Sequence, residues 1–217
     1  MDSPKIYNLP RMILCEGPDD VAFFSNLISI RELPRFHIEH TGRTKSERGG
    51  NGKFGAKLEA LAGNRSFRGS VKEVVIFSDS DQDHLHSFRN ICRQLSSRGL
   101  EVPTAPLQKT AASPSISIFM IPHGEPGNLE SQCVASARSA NAHREHVDHF
   151  VALVTSDNWS PSARGKLWLR AAIAAGWQKD PFIQLGEIFD HPTARALIPL
   201  DHNTFNGIVA YLRSFAP

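Results

Sequence analysis

The sequence has few cysteines and no long apolar segment. Its 217 residues include three cysteines, Cys15, Cys92 and Cys133, which are widely spaced and form no Cys-x-x-Cys motif. An odd number of isolated cysteines argues against a disulfide framework and predicts reduced, buried thiols. No apolar run approaches the roughly 18 residues that cross a bilayer, and the first residues lack the basic and apolar regions of a signal peptide. We therefore expect a cytoplasmic protein without a membrane-spanning segment.

A nucleotide-binding P-loop is also missing, although one glycine-rich segment comes close to it. Residues 49–54 read Gly-Gly-Asn-Gly-Lys-Phe. A P-loop would need a glycine five positions before Gly52, and a serine or threonine in place of Phe54 to bind Mg²⁺. We interpret the segment instead as part of a polar, basic loop.

The net charge is only +2, but the basic residues are concentrated in one part of the chain. Residues 31–72 hold ten lysines and arginines against four glutamates, a local net charge of +6, whereas the remainder carries a net charge of −4. Such a basic segment suits the phosphate backbone of a nucleic acid, although a solvated surface loop would have the same composition. The candidate phosphate-contacting side chains are Arg43, Lys45, Arg48 and Lys53.

Acidic residues follow two apolar segments that have the composition of buried strands. The first segment ends in Glu16, and the second is followed by Asp79, Asp81 and Asp83. Open α/β sheets bind ligands beyond the carboxyl ends of their strands, so these carboxylates stand at a typical ligand-binding position. A hard cation such as Mg²⁺, bound by a few carboxylates with water and substrate phosphate, would neutralise their charge.

Strand and helix patterns alternate through the first two thirds of the chain. Strands are predicted near residues 10–15, 36–40, 71–77 and 115–121. The helix predicted over residues 83–98 should bury Leu85, Phe88, Ile91, Cys92 and Leu95. Such alternation is typical of a mostly parallel sheet flanked by helices, and only helices are predicted after about residue 141. We therefore expect an α/β core over residues 1–140 and a helical C-terminal part over residues 141–217 packed on it.

The two acidic segments together resemble the Toprim domain. This domain is the catalytic module of bacterial primases, type IA and type II topoisomerases, RNA maturases and overcoming-lysogenization-defect nucleases. The likeness lies in a strand followed by Glu16-Gly17, with Asp20 four residues after the glutamate, and in a later strand followed by Asp79-x-Asp81. The resemblance implies a Rossmann-like fold in which Glu16 is the general acid/base or a metal ligand. It also implies that Asp79 and Asp81 bind Mg²⁺ or Mn²⁺, with Asp83 as an accessory ligand.

A third segment is similar to a small Toprim group in which a Met-Pro-like turn precedes Gly-x-Leu-Glu. Here the segment begins at Met120-Ile121-Pro122 and ends in Gly127-Asn128-Leu129-Glu130, where Asn128 can cap a helix. The resemblance, which spans nearly the whole chain, implies that Glu130 faces the metal site. The alternative is an exposed glutamate that the helix dipole favours.

Lys166 opens a predicted amphipathic helix. Related nucleases need a cation near the phosphate at this place, and a solvated lysine is the alternative.

Two other metal chemistries fit the sequence less well. Haloacid-dehalogenase-like phosphatases also have Asp-x-Asp after a strand, but near the N-terminus and followed by threonine or valine, whereas Gln82 follows here. His143, His146 and His149 recur with helical spacing, which zinc sites use. Ordinary surface histidines account for the same spacing, so we expect the metal at the carboxylates.

The Toprim resemblance implies a Mg²⁺- or Mn²⁺-dependent phosphodiesterase, and we expect a nuclease that acts on DNA or RNA. Tyr7 is terminal and Tyr211 lies in the last predicted helix, so neither suits topoisomerase chemistry. No zinc-binding or helicase-binding module supports a primase. An ATPase domain is also missing, so an ATPase partner would be a separate protein.

Some properties remain open at the level of sequence. The resemblance extends to nucleases that act in defence against phages or plasmids, and it implies such a role here. The alternative to an enzyme is a non-catalytic Toprim-like module that binds nucleic acid or a partner protein. The oligomeric state is open, with a homo-oligomer among the alternatives.

Overall fold

The computed structural model describes residues 5–42 and 49–215. The strands in these ranges are β1 (Arg11–Cys15), β2 (His37–His40), β3 (Glu73–Asp79) and β4 (Ser115–Ile121). The α-helices are α1 (Pro18–Ile30), α2 (Phe54–Ala62), α3 (Arg65–Ser70), α4 (His84–Ser96), α5 (Leu129–Ala140), α6 (Arg144–Val154), α7 (Pro161–Gly176), α8 (Leu185–Asp190) and α9 (Asn206–Arg213). Short 3₁₀ turns span Asn51–Lys53, Ala194–Leu197 and Asn203–Phe205.

The four strands form one parallel sheet in the order β2-β1-β3-β4. β1 is central, and it pairs with β2 through Met12 and His37 and with β3 through Leu14 and Ile76. Both β1 and β3 contain an uninterrupted run of four buried apolar residues, which is typical of parallel strands that are covered on both faces. The sheet with its flanking helices confirms the predicted α/β, Rossmann-like class.

The chain divides into two compact units, each built from three separate segments. The first unit comprises Met1–Val21, Arg35–Ser78 and Leu85–Met120, and it holds nearly all of the sheet. The second unit comprises Ala22–Pro34, Asp79–His84 and Ile121–Pro217. The boundary predicted at residue 140 stays a prediction.

The core of the first unit joins the sheet to α2 and α4. Leu14 of β1 and Ile76 of β3 belong to the same apolar cluster as Phe54 of α2 and Ile91 of α4.

Leu85, which was predicted to be buried on α4, is 44% exposed. It lies in the first turn, before the part of the helix that faces this cluster, so the predicted apolar face begins only at Phe88.

The second unit is mainly helical and has a core of its own. Phe23 of α1 contacts the rings of Phe189 in α8 and Phe205, each at a centroid separation of 5.4 Å. The Arg31 guanidinium donates hydrogen bonds to the carbonyls of Leu200 and Asp201 at 3.3 and 3.0 Å.

Within the described ranges, no helix combines the length and the apolar composition needed to cross a bilayer.

Candidate carboxylate site

The side chain of Glu16 is held by a serine of the neighbouring strand. Glu16 follows β1 directly, and its Oε1 accepts a hydrogen bond of 2.5 Å from Ser78 Oγ in β3. Ser78 is only 2% exposed, and it is the residue that precedes Asp79. Because β1 and β3 are paired in register, the sheet itself fixes the position of this carboxylate. Glu16 is recognisable in the sequence as a carboxylate after a strand, whereas no sequence pattern marks Ser78.

The backbone of Glu16 is held by Thr41 and Gly50, which lie on either side of segment 43–48. The Glu16 carbonyl accepts hydrogen bonds from Thr41 Oγ1 at 3.0 Å and from the Gly50 backbone N–H at 3.2 Å. The Gly50 N–H also approaches Thr41 Oγ1 at 2.9 Å. The residues on both sides of segment 43–48 therefore contact Glu16. Arg43, Lys45 and Arg48, three of the predicted phosphate-binding residues, lie outside the described residues, whereas Lys53 is described and exposed.

Gly49 lies so close to Glu16 that it has no room for a side chain. A Cβ atom added to Gly49 would collide with the Glu16 carbonyl oxygen and with Thr41 Oγ1. Gly52, three residues further along the same glycine-rich segment 49–54, has no heavy atom within 4 Å of the corresponding position. The two glycines therefore form a matched pair for mutation.

We expect Gly49→Ala to destabilise the protein by about 1–3 kcal/mol or more, because the new methyl group must displace backbone next to Glu16. Gly52→Ala is the control and should leave the free energy of unfolding nearly unchanged. Urea denaturation of the three proteins measures the difference. Equal stability of the Gly49→Ala and Gly52→Ala proteins would contradict the close packing at Glu16.

In the second unit, the Asp79–Asp81 segment is bound to the segment that leads into α5. Asp79 Oδ1 accepts a hydrogen bond of 3.0 Å from the backbone N–H of Leu129, the first residue of α5. Asp81 and Gly127 exchange two backbone hydrogen bonds, each of 2.7 Å. Between the two aspartates, the backbone N–H of Ser80 donates to the Ile121 carbonyl at 2.7 Å.

The backbone at Asp81 restricts which residues can stand there. Asp81 has a φ of 51°, in the left-handed region that aspartate and asparagine tolerate better than most residues. Gly127 has a φ of 145°, and a Cβ there would lie 2.8 Å from Pro122 Cδ. The predicted accessory ligand Asp83 is exposed and immediately precedes α4.

Lys166 of α7 lies close to Glu130, which is at the start of α5. Glu130 is in the first turn, its side chain is only 17% exposed, and one carboxylate oxygen is 3.9 Å from Lys166 Nζ. Gly165 of α7 makes this approach possible, because a Cβ at that position would lie 2.9 Å from Ser131 Cα. The structure therefore brings the Asp79–Asp81 segment, Glu130 and Lys166 together around one helix terminus.

Asn128 caps α5, as predicted, but part of its side chain is left without a partner. Its Oδ1 accepts hydrogen bonds from the Ser131 backbone N–H at 2.9 Å and from Ser131 Oγ at 2.8 Å. Its Nδ2 is buried and has no hydrogen-bond partner in the described part of the chain. A buried donor of this kind reduces stability, and such groups are rare in folded proteins.

The three cysteines are free thiols that differ in burial. Cys15 and Cys133 are buried, as predicted, whereas Cys92 is only partly buried, so the prediction for Cys92 was wrong. Cys92 lies at the margin of the buried face of α4, which leaves part of it open to solvent. Burial raises the pKa of the Cys15 thiol well above its usual range, with further contributions from Asp20, Glu16 and Glu39. Cys15 therefore remains a protonated, poorly nucleophilic thiol at neutral pH.

The three histidines of the zinc alternative are all exposed. His143 precedes α6 as its N-cap, and His146 and His149 lie within the helix. No group of three or more His, Cys, Asp or Glu side chains within residues 5–42 and 49–215 is arranged to hold a metal ion. Mg²⁺ commonly uses only one or two protein carboxylates, with water and substrate phosphate as its other ligands. The oxygen donors of Asp79 and Asp81 fit that chemistry better than the histidines do.

Fold and site together define an α/β protein with a parallel sheet and with carboxylates after β1 and at the end of β3. A model of the family described as "Protein of unknown function (DUF3226)" matches residues 10–217, and the chain belongs to this family. No curated protein and no solved structure is significantly similar to the chain.

Proposed function

We propose that the protein is a Mg²⁺- or Mn²⁺-dependent phosphodiesterase of the Toprim type, acting as a nuclease on DNA or RNA. The observation that carries the proposal is the position of the acidic residues on the sheet. Glu16 follows β1, its carboxylate accepts a hydrogen bond from Ser78 of the paired strand β3, and Asp79 is the next residue of that strand. Ligands of open α/β sheets bind beyond these strand ends.

Each residue has a distinct proposed role. Asp79 and Asp81 would hold the cation, and the backbone N–H of Leu129 orients the Asp79 carboxylate by binding Oδ1. When bound, Mg²⁺ or Mn²⁺ polarises the phosphate and lowers the pKa of a bound water. Glu16 transfers a proton or acts as a further ligand, and its hydrogen bond to Ser78 limits its rotation.

The remaining charged residues act on the substrate or complete the cation site. Glu130 and Asp83 are the further proposed oxygen ligands. Lys166 offsets the charge of Glu130 and is the proposed cation near the reacting phosphate. Arg43, Lys45, Arg48 and Lys53 are proposed to contact the phosphate backbone. Free cysteines are compatible with the proposed cytoplasmic location. Any ATPase partner is proposed to be a separate protein.

We expect the purified protein to cleave nucleic acid only when Mg²⁺ or Mn²⁺ is present, because the proposed chemistry needs the cation. Supercoiled plasmid, linear duplex DNA, single-stranded DNA and RNA should each be incubated with either metal or with EDTA, and the products separated by electrophoresis. An Asp79→Asn, Asp81→Asn protein purified in parallel is the control for contaminating nucleases.

The competing proposal is a non-catalytic module that binds nucleic acid or a partner protein. It is favoured by the finding that the described residues include no group of three or more potential ligands arranged for a metal. Absence of cleavage of all four substrates with either metal would support this module and contradict the nuclease.

A further inference from the structure

The helix that follows the Asp79–Asp83 segment has one apolar face and one basic side. Ser87, Phe88, Ile91 and Leu95 of α4 are buried, and the three apolar residues belong to the core of the first unit. The helix contains no aspartate or glutamate. Its solvent side therefore has no acidic residue of its own to offset its arginines.

Three residues on this solvent side share one face of the helix. His86, Arg89 and Arg93 are exposed and follow one another at intervals of three and four residues, and together they form the α4 basic face. Neither Arg89 nor Arg93 forms an ion pair with any described residue. Arg93 donates a hydrogen bond to the uncharged Asn90 Oδ1, so no acidic side chain among the described residues offsets its charge. Arg98, just beyond the helix, differs because it is paired with Glu59 at 2.8 Å.

Lys53 immediately precedes the part of α2 that packs against α4. The backbone N–H of Phe54, the residue after Lys53, donates to Gln94 Oε1 of α4 at 3.1 Å. Gly55 lies against the Gln94 backbone so closely that a Cβ there would collide with the Gln94 carbonyl oxygen. The start of α2 is thus fixed against Gln94 of α4, and Lys53, which is exposed, is the residue that precedes α2.

We propose that the α4 basic face, together with Lys53, binds the phosphodiester backbone of a nucleic acid. Guanidinium groups form paired hydrogen bonds with phosphate oxygens, so exposed arginines that have no ion pair within the described ranges are well suited to this ligand. Arg89 and Arg93 are separated by about 6 Å along the helix axis. Phosphates recur about every 3.4 Å along one strand of B-form DNA, so each arginine can contact a different phosphate.

An acidic polypeptide would also complement positive charge, but the surroundings favour nucleic acid. Lys53 belongs to the segment 31–72, whose net charge of +6 suits a long polyanion. α4 also begins three residues after Asp81, a proposed ligand of the cation that would act on a phosphodiester. The inference rests on the proposed nuclease function and adds a substrate-binding surface to it.

The test is the double variant Arg89→Gln, Arg93→Gln, assayed for binding by fluorescence anisotropy in EDTA so that cleavage cannot interfere. The probes are labelled single-stranded DNA, duplex DNA and RNA, titrated at several salt concentrations. We expect affinity to fall roughly tenfold for each lost contact at about 0.1 M salt. The salt slope should fall by about 2.

The matched control is Arg144→Gln, Arg213→Gln, which removes the same charge from two exposed helical arginines of the second unit. It should bind like the parent. Arg89→Lys, Arg93→Lys keeps the charge and should retain the salt slope while losing part of the affinity. Circular dichroism checks that all variants are folded.

Three results would overturn the inference. The α4 variant and the control could bind equally well, the parent could bind none of the probes, or polyglutamate could displace the probes as effectively as unlabelled nucleic acid. If the parent cleaves nucleic acid but the α4 variant binds normally, only the binding surface is wrong. If the parent binds through α4 but never cleaves, only the nuclease function is wrong.

Discussion

Replacing Glu16 by glutamine is expected to reduce the rate of metal-dependent cleavage by about a hundredfold or more, within the range for the loss of an acid/base group. Glutamine keeps an oxygen that can accept the hydrogen bond from Ser78, and the Glu16 carbonyl keeps its bonds to Thr41 and Gly50. The fold should therefore survive while the negative charge is lost. Single-turnover cleavage of plasmid DNA measures the effect.

Glu145→Gln is a suitable control, because Glu145 is exposed on α6 in the second unit and has no proposed role. This variant should cleave like the parent. Both variants should bind nucleic acid with unchanged affinity, because neither substitution touches a basic residue. A folded Glu16→Gln protein that cuts as fast as the parent would refute the role of Glu16 as acid/base or ligand.

The double substitution Asp79→Asn, Asp81→Asn is expected to abolish binding of Mg²⁺ and Mn²⁺, because it removes both charges of the proposed site. Asparagine is preferable to alanine at both positions. At residue 79 it retains an acceptor for the Leu129 N–H, and at residue 81 it tolerates the positive φ. Isothermal titration calorimetry of the folded proteins with each metal measures the loss.

The histidine variant His143→Ala, His146→Ala, His149→Ala tests the alternative position of the metal. These side chains are exposed, so their removal should cost little stability and should leave cation binding intact. Loss of metal binding in the histidine variant alone would place the metal at α6 instead of the carboxylates.

Much of the sheet could be predicted because its strands are local patterns. β4 was predicted over residues 115–121 and occupies Ser115–Ile121, and β3 was predicted two residues too early, over 71–77. Short helices carry a weaker pattern. α3 has six residues and one buried side chain, Phe67, and it depends on the Asn64 cap, which accepts hydrogen bonds from two backbone N–H groups. Its apolar periodicity was therefore too short to recognise.

The acidic residues of the candidate site could be selected from the sequence, but the residues that support them could not. Glu16, Asp79 and Asp81 were selected because carboxylates after strands are recognisable in a sequence. Ser78 and Thr41 contact Glu16 across 62 and 25 residues, so no local pattern links them to it. The requirement for glycine at position 49 has the same origin, because the neighbouring atoms belong to a distant part of the chain.

The aromatic contacts of α1 have a consequence for synthesis on the ribosome. Phe23 contacts Phe189 and Phe205, which lie far later in the sequence and are therefore synthesised well after α1. At the usual rate of translation, roughly ten to thirty seconds separate the synthesis of α1 from that of these partners. During that interval the apolar face of α1 cannot be buried as it is in the finished protein. We therefore expect the apolar face of α1 to be exposed in the nascent chain, where a chaperone can bind it.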